Sequence, residues 1–140
     1  MVDATIGHGG HSLLFGATLG PEGTLVGLDV DPLALQRARE RLVALACKVV
    51  LIQSNFAALA DCLGELGIEK VDFILADLGF NSAQLADEEM GLSFRAEDMP
   101  LDMRIDESLT TTAADIVNGY DEKSLADLIF EYGQDRASRR

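Results

Sequence analysis

The residues able to do chemistry gather near the start of the chain, in Asp3-Ala4-Thr5-Ile6-Gly7-His8-Gly9-Gly10-His11-Ser12, just after a short apolar run. A second apolar run ends in Gly27-Leu28-Asp29-Val30-Asp31-Pro32, which puts Asp29 19 residues after Gly10. A glycine turn between a strand and a helix, with an acid at the end of the next strand, is how a βαβ unit holds a ribose-bearing cofactor. Glycine lets the backbone come close to the ligand, where a Cβ would collide. Asp29 is placed to accept from both ribose hydroxyls, each charge-assisted bond contributing about 1.5–3 kcal/mol.

The strict dinucleotide fingerprint fails at its last position, because Gly7-x-Gly9 calls for glycine or alanine at position 12, where Ser12 stands. A nicotinamide-dependent dehydrogenase is thereby disfavoured. A Walker A loop fails too, since no Gly-Lys-Ser/Thr follows the glycines. S-adenosylmethionine suits the residues better: it has a ribose and an adenine but no pyrophosphate, and its cationic sulfonium favours an acidic pocket. Asp3, Asp29 and Asp77 fall at the carboxyl ends of expected strands, the ligand edge of an open α/β sheet. For Asp3 and Asp77, structural capping of loop amides is an open alternative. Phe56, in Gln53-Ser54-Asn55-Phe56, is either a cover for an adenine or a core residue. His8 and His11, three apart in a loop, make a weak case for metal, and no metal site is expected.

Four apolar runs must position these residues: Met1 to Thr5, Thr24 to Asp29, Lys48 to Gln53 and Val71 to Asp77, with amphipathic stretches between them. That alternation predicts an α/β fold with a parallel sheet. The second helix is the best marked, with Asp31 as cap, Pro32 at its first position, and Leu35, Ala38, Leu42 and Leu45 on one face. Gln36, Arg37, Arg39, Glu40 and Arg41 fall elsewhere on it and read as a solvated face. A third helix is expected over about 57–66, ending at Gly67. Residues 78–105 lack periodicity and read as a long loop. Thr112 and Asp115 then resemble a capping box for a helix over 113–118. Asp121 is the expected cap of a helix over 122–132 with a stripe of Leu125, Leu128, Ile129 and Tyr132.

A chain of 140 residues with 48% hydrophobic content is long enough for one buried core. No run reaches the roughly 18 apolar residues of a membrane span, and the first residues lack the pattern of a signal peptide, so no membrane partner is expected and a cytoplasmic location is the simplest expectation. Cys47 and Cys62 have neither disulfide-framework nor zinc spacing. The net charge of −13 weighs against a basic nucleic-acid surface. Against that balance, Arg136, Arg139 and Arg140 cluster at the end of the sequence.

Three downstream segments carry a resemblance: Phe73-Ile74-Leu75-Ala76-Asp77-Leu78-Gly79-Phe80-Asn81-Ser82-Ala83-Gln84-Leu85, then Gly91-Leu92-Ser93-Phe94-Arg95, then Pro100-Leu101-Asp102-Met103-Arg104-Ile105-Asp106. With the opening Asp-x-Thr-x-Gly-x-Gly-Gly-His-Ser, the turn at 29–32, Thr112-Ala113-Ala114-Asp115 and Tyr132-Gly133, the chain resembles along its whole length the bacterial 16S ribosomal RNA cytosine-N4 methyltransferases of the RsmH/MraW type. Pro-Leu-Asp-Met-Arg is the most specific of these motifs. The resemblance implies a Rossmann-like, S-adenosylmethionine-dependent methyltransferase core, partial, over 1–100, and the start of a helical substrate-recognition insertion over 101–140. It implies cofactor contacts at Gly9, Gly10, His11, Asp29, Phe56, Asp77 and Gln84. The implied partner is 16S ribosomal RNA in the small subunit, and not DNA. The implied reaction is in-line displacement: the exocyclic N4 of a decoding-centre cytosine takes the methyl group and S-adenosylhomocysteine leaves. Positioning does most of the work. No general base is assigned, although Asp77 and the carbonyls of Leu78 to Phe80 are candidates by place.

The chain departs from that pattern in three ways. The family has a further segment before the first strand and a longer part after the helices, which implies a fragment or truncated member. A fourth strand left at an open edge predicts self-association or a homodimer. The loop after Asp77 usually runs closer to Leu-Gly-Val-Ser-Ser-Pro-Gln-Leu, so Phe80, Asn81 and Ala83 differ, and the absent proline loosens the loop. These departures keep a second function in view, a non-catalytic S-adenosylmethionine-binding module.

Overall fold

A computed structural model of the chain describes residues 1–80, 85, 91–93, 99–106 and 108–139. They fall into two compact units, Met1–Asn81 and Ser82–Arg140.

The first unit is a parallel sheet with helices on both faces. It runs β1 (Val2–Asp3), α1 (Gly10–Gly16), β2 (Thr24–Asp29), α2 (Pro32–Leu42), β3 (Lys48–Gln53), a 3-10 turn (Phe56–Ala58), α3 (Leu59–Glu65) and β4 (Ile74–Leu75). The strand order is β3-β2-β1-β4, every pair parallel. The chain therefore builds outward from β1 to β3 and then returns to place β4 on the other side of β1. That reversal opens a crevice beyond the carboxyl ends of β1 and β4, the usual ligand position in an open α/β sheet.

Register fixes which residues reach that edge. Asp3 lies opposite Gly27 and Leu75, and Asp29 lies opposite Gln53. β2 is central, with Leu25, Val26 and Leu28 all buried, as a strand covered on both faces should be. On one face Leu25 joins Ile6, Leu35, Ala38, Leu42 and Cys47 beneath α1 and α2; on the other, Val2, Val26 and Leu28 pack with Leu59, Cys62 and Leu63 of α3. A Cβ on Gly27 would collide with Ile6, so glycine at this point lets the loop after β1 lie against β2.

α2 forms as its sequence predicts. The Asp31 carboxylate accepts from the amides of Leu33 and Ala34 at 2.8 and 3.2 Å, Pro32 opens the first turn, and Ala34, Leu35, Ala38 and Leu42 are buried. β1 and β4 are shorter than the apolar runs suggest, two residues each. Past the end of β1 the Thr5 amide folds back onto the Asp3 side chain, while the Ile6 amide still donates to the Leu28 carbonyl of β2. The third helix also begins later than expected, because the Asn55 side chain accepts from the Ala57 amide and winds the first turn as 3-10. Gly67 follows it with φ +69°, the left-handed conformation of a helix stop. Among the described residues, β4 pairs only with β1, and Ile74 is half exposed.

In the second unit, α4 (Ala113–Gly119) carries the full capping box: Thr112 Oγ1 accepts from the Asp115 amide and Asp115 Oδ2 accepts from the Thr112 amide, at 3.1 and 2.9 Å. Asp121 caps α5 (Glu122–Gly133) through the Ser124 amide. The stripe expected on α5 is covered only in part: Leu125 and Leu128 are half-buried and Ala126 is buried, but Ile129 and Tyr132 are exposed toward the last turn. Before α4, Arg104 grips both oxygens of Asp102 and the Leu109 carbonyl, while Met103 between them takes φ +62°. No helix among the described residues is long and apolar enough to cross a membrane.

Candidate functional site

The site is assembled from the loops that leave β1, β2, β3 and β4 at one edge of the sheet. Asp3, at the end of β1, is buried, and its carboxylate accepts from the Ser12 hydroxyl at 2.7 Å and from the Thr5 amide at 3.2 Å. Of the two uses open to Asp3 in the sequence, the structural one is what its bonds display. Ser12 is buried as well, so the residue that breaks the dinucleotide fingerprint anchors α1 to the first strand.

The glycine turn rests on α2. Gly9 has φ +76° and precedes the first residue of α1; a Cβ there would press on Leu42 and Ala38 at 3.3–3.4 Å. Gly7, with φ +50°, donates its amide to Asp29 Oδ2 at 2.8 Å. The other oxygen of Asp29 accepts from the Asp31 amide at 3.0 Å. A carboxylate offers about four acceptor positions, so the half-buried Asp29 holds the turn in place and retains acceptor capacity for a diol.

The crevice between β1 and β4 is bridged by the Asp77 amide, which donates to Thr5 Oγ1 at 2.7 Å. Asp77 Oδ2 lies 3.6 Å from His11 Nδ1, with both side chains more than half exposed. The pair is ionic only when the imidazole is protonated, and at this exposure it contributes little to stability. Its value is positional, since it brings the first turn of α1 and the loop after β4 to one point. Phe56 follows β3 with its ring half exposed, and the Ser54 amide ties that strand end to the Asp29 carbonyl at 3.0 Å.

Gly9, Gly10, His11, Asp29, Phe56 and Asp77 thus all occupy the carboxyl edge of the sheet. Side-chain contacts that join the loops include Gly7 with Asp29, Thr5 with Asp77 and His11 with Asp77. Gln84 lies outside the described residues. Sequence reasoning gave no role to Thr5, although its hydroxyl links the two loops that flank the crevice. Its signal was a lone hydroxyl residue between a strand-end acid and a glycine turn. Cys47 and Cys62 are free thiols.

These residues fit an adenosyl cofactor without a pyrophosphate. Gly9 lets the turn pack close on α2, Asp29 has spare acceptors, and an apolar ring is exposed at the same edge. The whole chain, residues 1–140, matches the model of the MraW methylase family. The chain belongs to that family. It is similar to the protein named ribosomal RNA small subunit methyltransferase H of Brevibacillus brevis, 44% identical over 99% of this chain and 44% of the relative. The protein of the same name in Geotalea daltonii is 46% identical over the same shares. That of Mycobacterium leprae is 48% identical over 100% of this chain and 38% of the relative. The chain spans less than half the length of these relatives.

Proposed function

We propose that this chain forms the S-adenosylmethionine-binding part of a methyltransferase acting on N4 of a cytosine in 16S ribosomal RNA of the small subunit. The observation that carries the cofactor part is the Gly7 amide on Asp29 Oδ2 at 2.8 Å, which locks a strand-end carboxylate beside a glycine turn at the switch point of the sheet. Membership in the methylase family and the names of the relatives support the RNA part.

In this reading Asp29 accepts the ribose hydroxyls, Gly9 and Gly10 let the backbone lie against the cofactor, and Phe56 covers the adenine. Asp77 and His11 sit toward the reacting end, and Gln84 is a further cofactor contact on the family resemblance alone. The bound cofactor supplies a methyl group already activated on a sulfonium. The chain's own residues then have to position the cytosine and exclude water. The core spans 1–100, and a helical substrate-recognition insertion begins at about 101, with the whole acting in the cytoplasm.

The test is calorimetric titration with S-adenosylmethionine, S-adenosylhomocysteine and NAD, followed by incubation with labelled cofactor and immature small subunits. Binding of the first two and label on cytosine N4 are expected. Tight NAD binding with none for S-adenosylmethionine would overturn the cofactor assignment. Cofactor binding without label in the RNA would reduce the chain to a binding module.

A further inference from the structure

Acids outnumber basic residues 24 to 11 in this chain, yet two arginines of α2 stand beside the glycine turn with no acidic partner among the described residues. Arg37 Nη1 lies 3.2 Å from His8 Nε2, and Arg41 Nη1 lies 3.7 Å from where a Cβ on Gly10 would be. Four residues apart, the two share one flank of the helix, next to the buried line of Ala34, Ala38 and Leu42. Arg39 leaves from the opposite flank. Both Arg37 and Arg41 are exposed, and among the described residues no carboxylate forms an ion pair with either.

The acids nearest in sequence are otherwise engaged. Asp29 accepts from the amides of Gly7 and Asp31, Asp31 caps α2, and Glu40 accepts from Gln36 at 3.4 Å. Since a guanidinium has only donors, a hydrogen bond between the two has His8 Nε2 as its acceptor. That contact holds Arg37 over the turn without an opposing carboxylate. The result is a local cationic rim on an otherwise acidic chain, built from forked donors that match a phosphate.

We infer that Arg37 and Arg41, with His8 steadying the first, dock the phosphodiester backbone of a single-stranded segment of the RNA substrate at the rim of the glycine turn. The inference rests on the RNA-methylating reading above and adds the surface that would hold the strand beside the cofactor. Phosphate recognition follows from the forked donors of two adjacent guanidinium groups that both reach solvent.

The test is fluorescence anisotropy with a short, labelled, single-stranded RNA over a salt series, with calorimetry of S-adenosylmethionine binding alongside. Each phosphate contact on a single strand contributes about 0.7 to the slope of log affinity against log salt. The double variant R37A/R41A should flatten that slope by about 1.4 and weaken RNA binding roughly 25-fold at about 0.1 M salt. Its cofactor affinity and melting temperature should match the parent, and R37K/R41K should keep most of the slope. Arg39→Ala removes a charge from the other flank and should leave the slope unchanged. An unaltered slope in R37A/R41A, an equal loss per charge in Arg39→Ala, or a parallel loss of cofactor affinity each overturns the docking site while the RNA reading stands. A parent protein that binds cofactor but no RNA overturns both.

Discussion

The Ser12 hydroxyl donates to the Asp3 carboxylate across 2.7 Å, with both side chains buried. This bond fastens the start of α1 to the end of β1, so the glycine turn between them has both ends fixed. A glycine or alanine at position 12, as a dinucleotide site prefers, would leave that carboxylate oxygen without its side-chain donor. Ser12→Ala should therefore destabilise the protein by about 1.5–3 kcal/mol, the range for a hydrogen bond to a buried charged group. Urea unfolding of the two proteins measures it. A loss under about 0.5 kcal/mol, the size of a neutral surface change, would show that the bond is not what holds the turn.

Asp29 carries a double duty that Asn cannot take over. One oxygen accepts from the Gly7 amide and the other from the Asp31 amide. In Asp29→Asn one of those two N–H groups faces an NH2, and the acceptor set left for a ribose is halved. Losing charge-assisted bonds of about 1.5–3 kcal/mol should weaken S-adenosylmethionine binding by roughly 10- to 150-fold. Calorimetric titration reads this directly, and an affinity within twofold of the parent would remove Asp29 from the cofactor site.

Much of this edge was legible in the sequence because its signals are local. Asp31 and Pro32 mark the start of α2, and Thr112 with Asp115 marks that of α4, since a cap needs only residues within one turn. The apolar runs gave the four strands, and the glycine turn with Asp29 gave the ligand edge. The brevity of β1 was not legible, because it depends on where Thr5 and Ile6 send their amides, one of them to a strand more than twenty residues away. The role of Thr5 was hidden for the same reason: its partner is the amide of Asp77, and nothing local announces a bond across 72 positions. The stripe on α5 is exposed at Ile129 and Tyr132 because helical spacing says which residues align, not how far a neighbour covers them.

Thr5→Val tests that long-range bond. The methyl replaces the hydroxyl with little change of shape, and the Asp77 amide turns to water because the residue is exposed. A net loss of about 1 kcal/mol or less is expected, as for an ordinary hydrogen bond. On the proposed function, methyl transfer should suffer more than folding, since the bond sets the position of the loop after β4 relative to the glycine turn. The expected pattern is a fall in kcat with a melting temperature near that of the parent. A rise in KM alone would place Thr5 in substrate binding instead.

The Asp102–Arg104 clamp makes its own prediction in acid. Side-chain hydrogen bonds from Arg104, at 2.6 and 2.7 Å, hold the Asp102 carboxyl below its ordinary value of 3.8 against the opposing effect of burial, with the Arg104 amide and charge adding to the lowering. A carboxyl lowered in the folded state stabilises that state fully above pH 3.8, and the contribution fades as pH falls through the lowered value. The Asp102 side-chain carbon signal in NMR should therefore titrate with a midpoint below 3.8 in the parent and return toward 3.8 in Arg104→Ala. Release of the clamp should also free Met103, whose φ of +62° is costly for a residue with a Cβ, to leave the left-handed region. An unchanged Asp102 midpoint in Arg104→Ala would show that the guanidinium is a neighbour of the carboxylate without being the cause of its acidity.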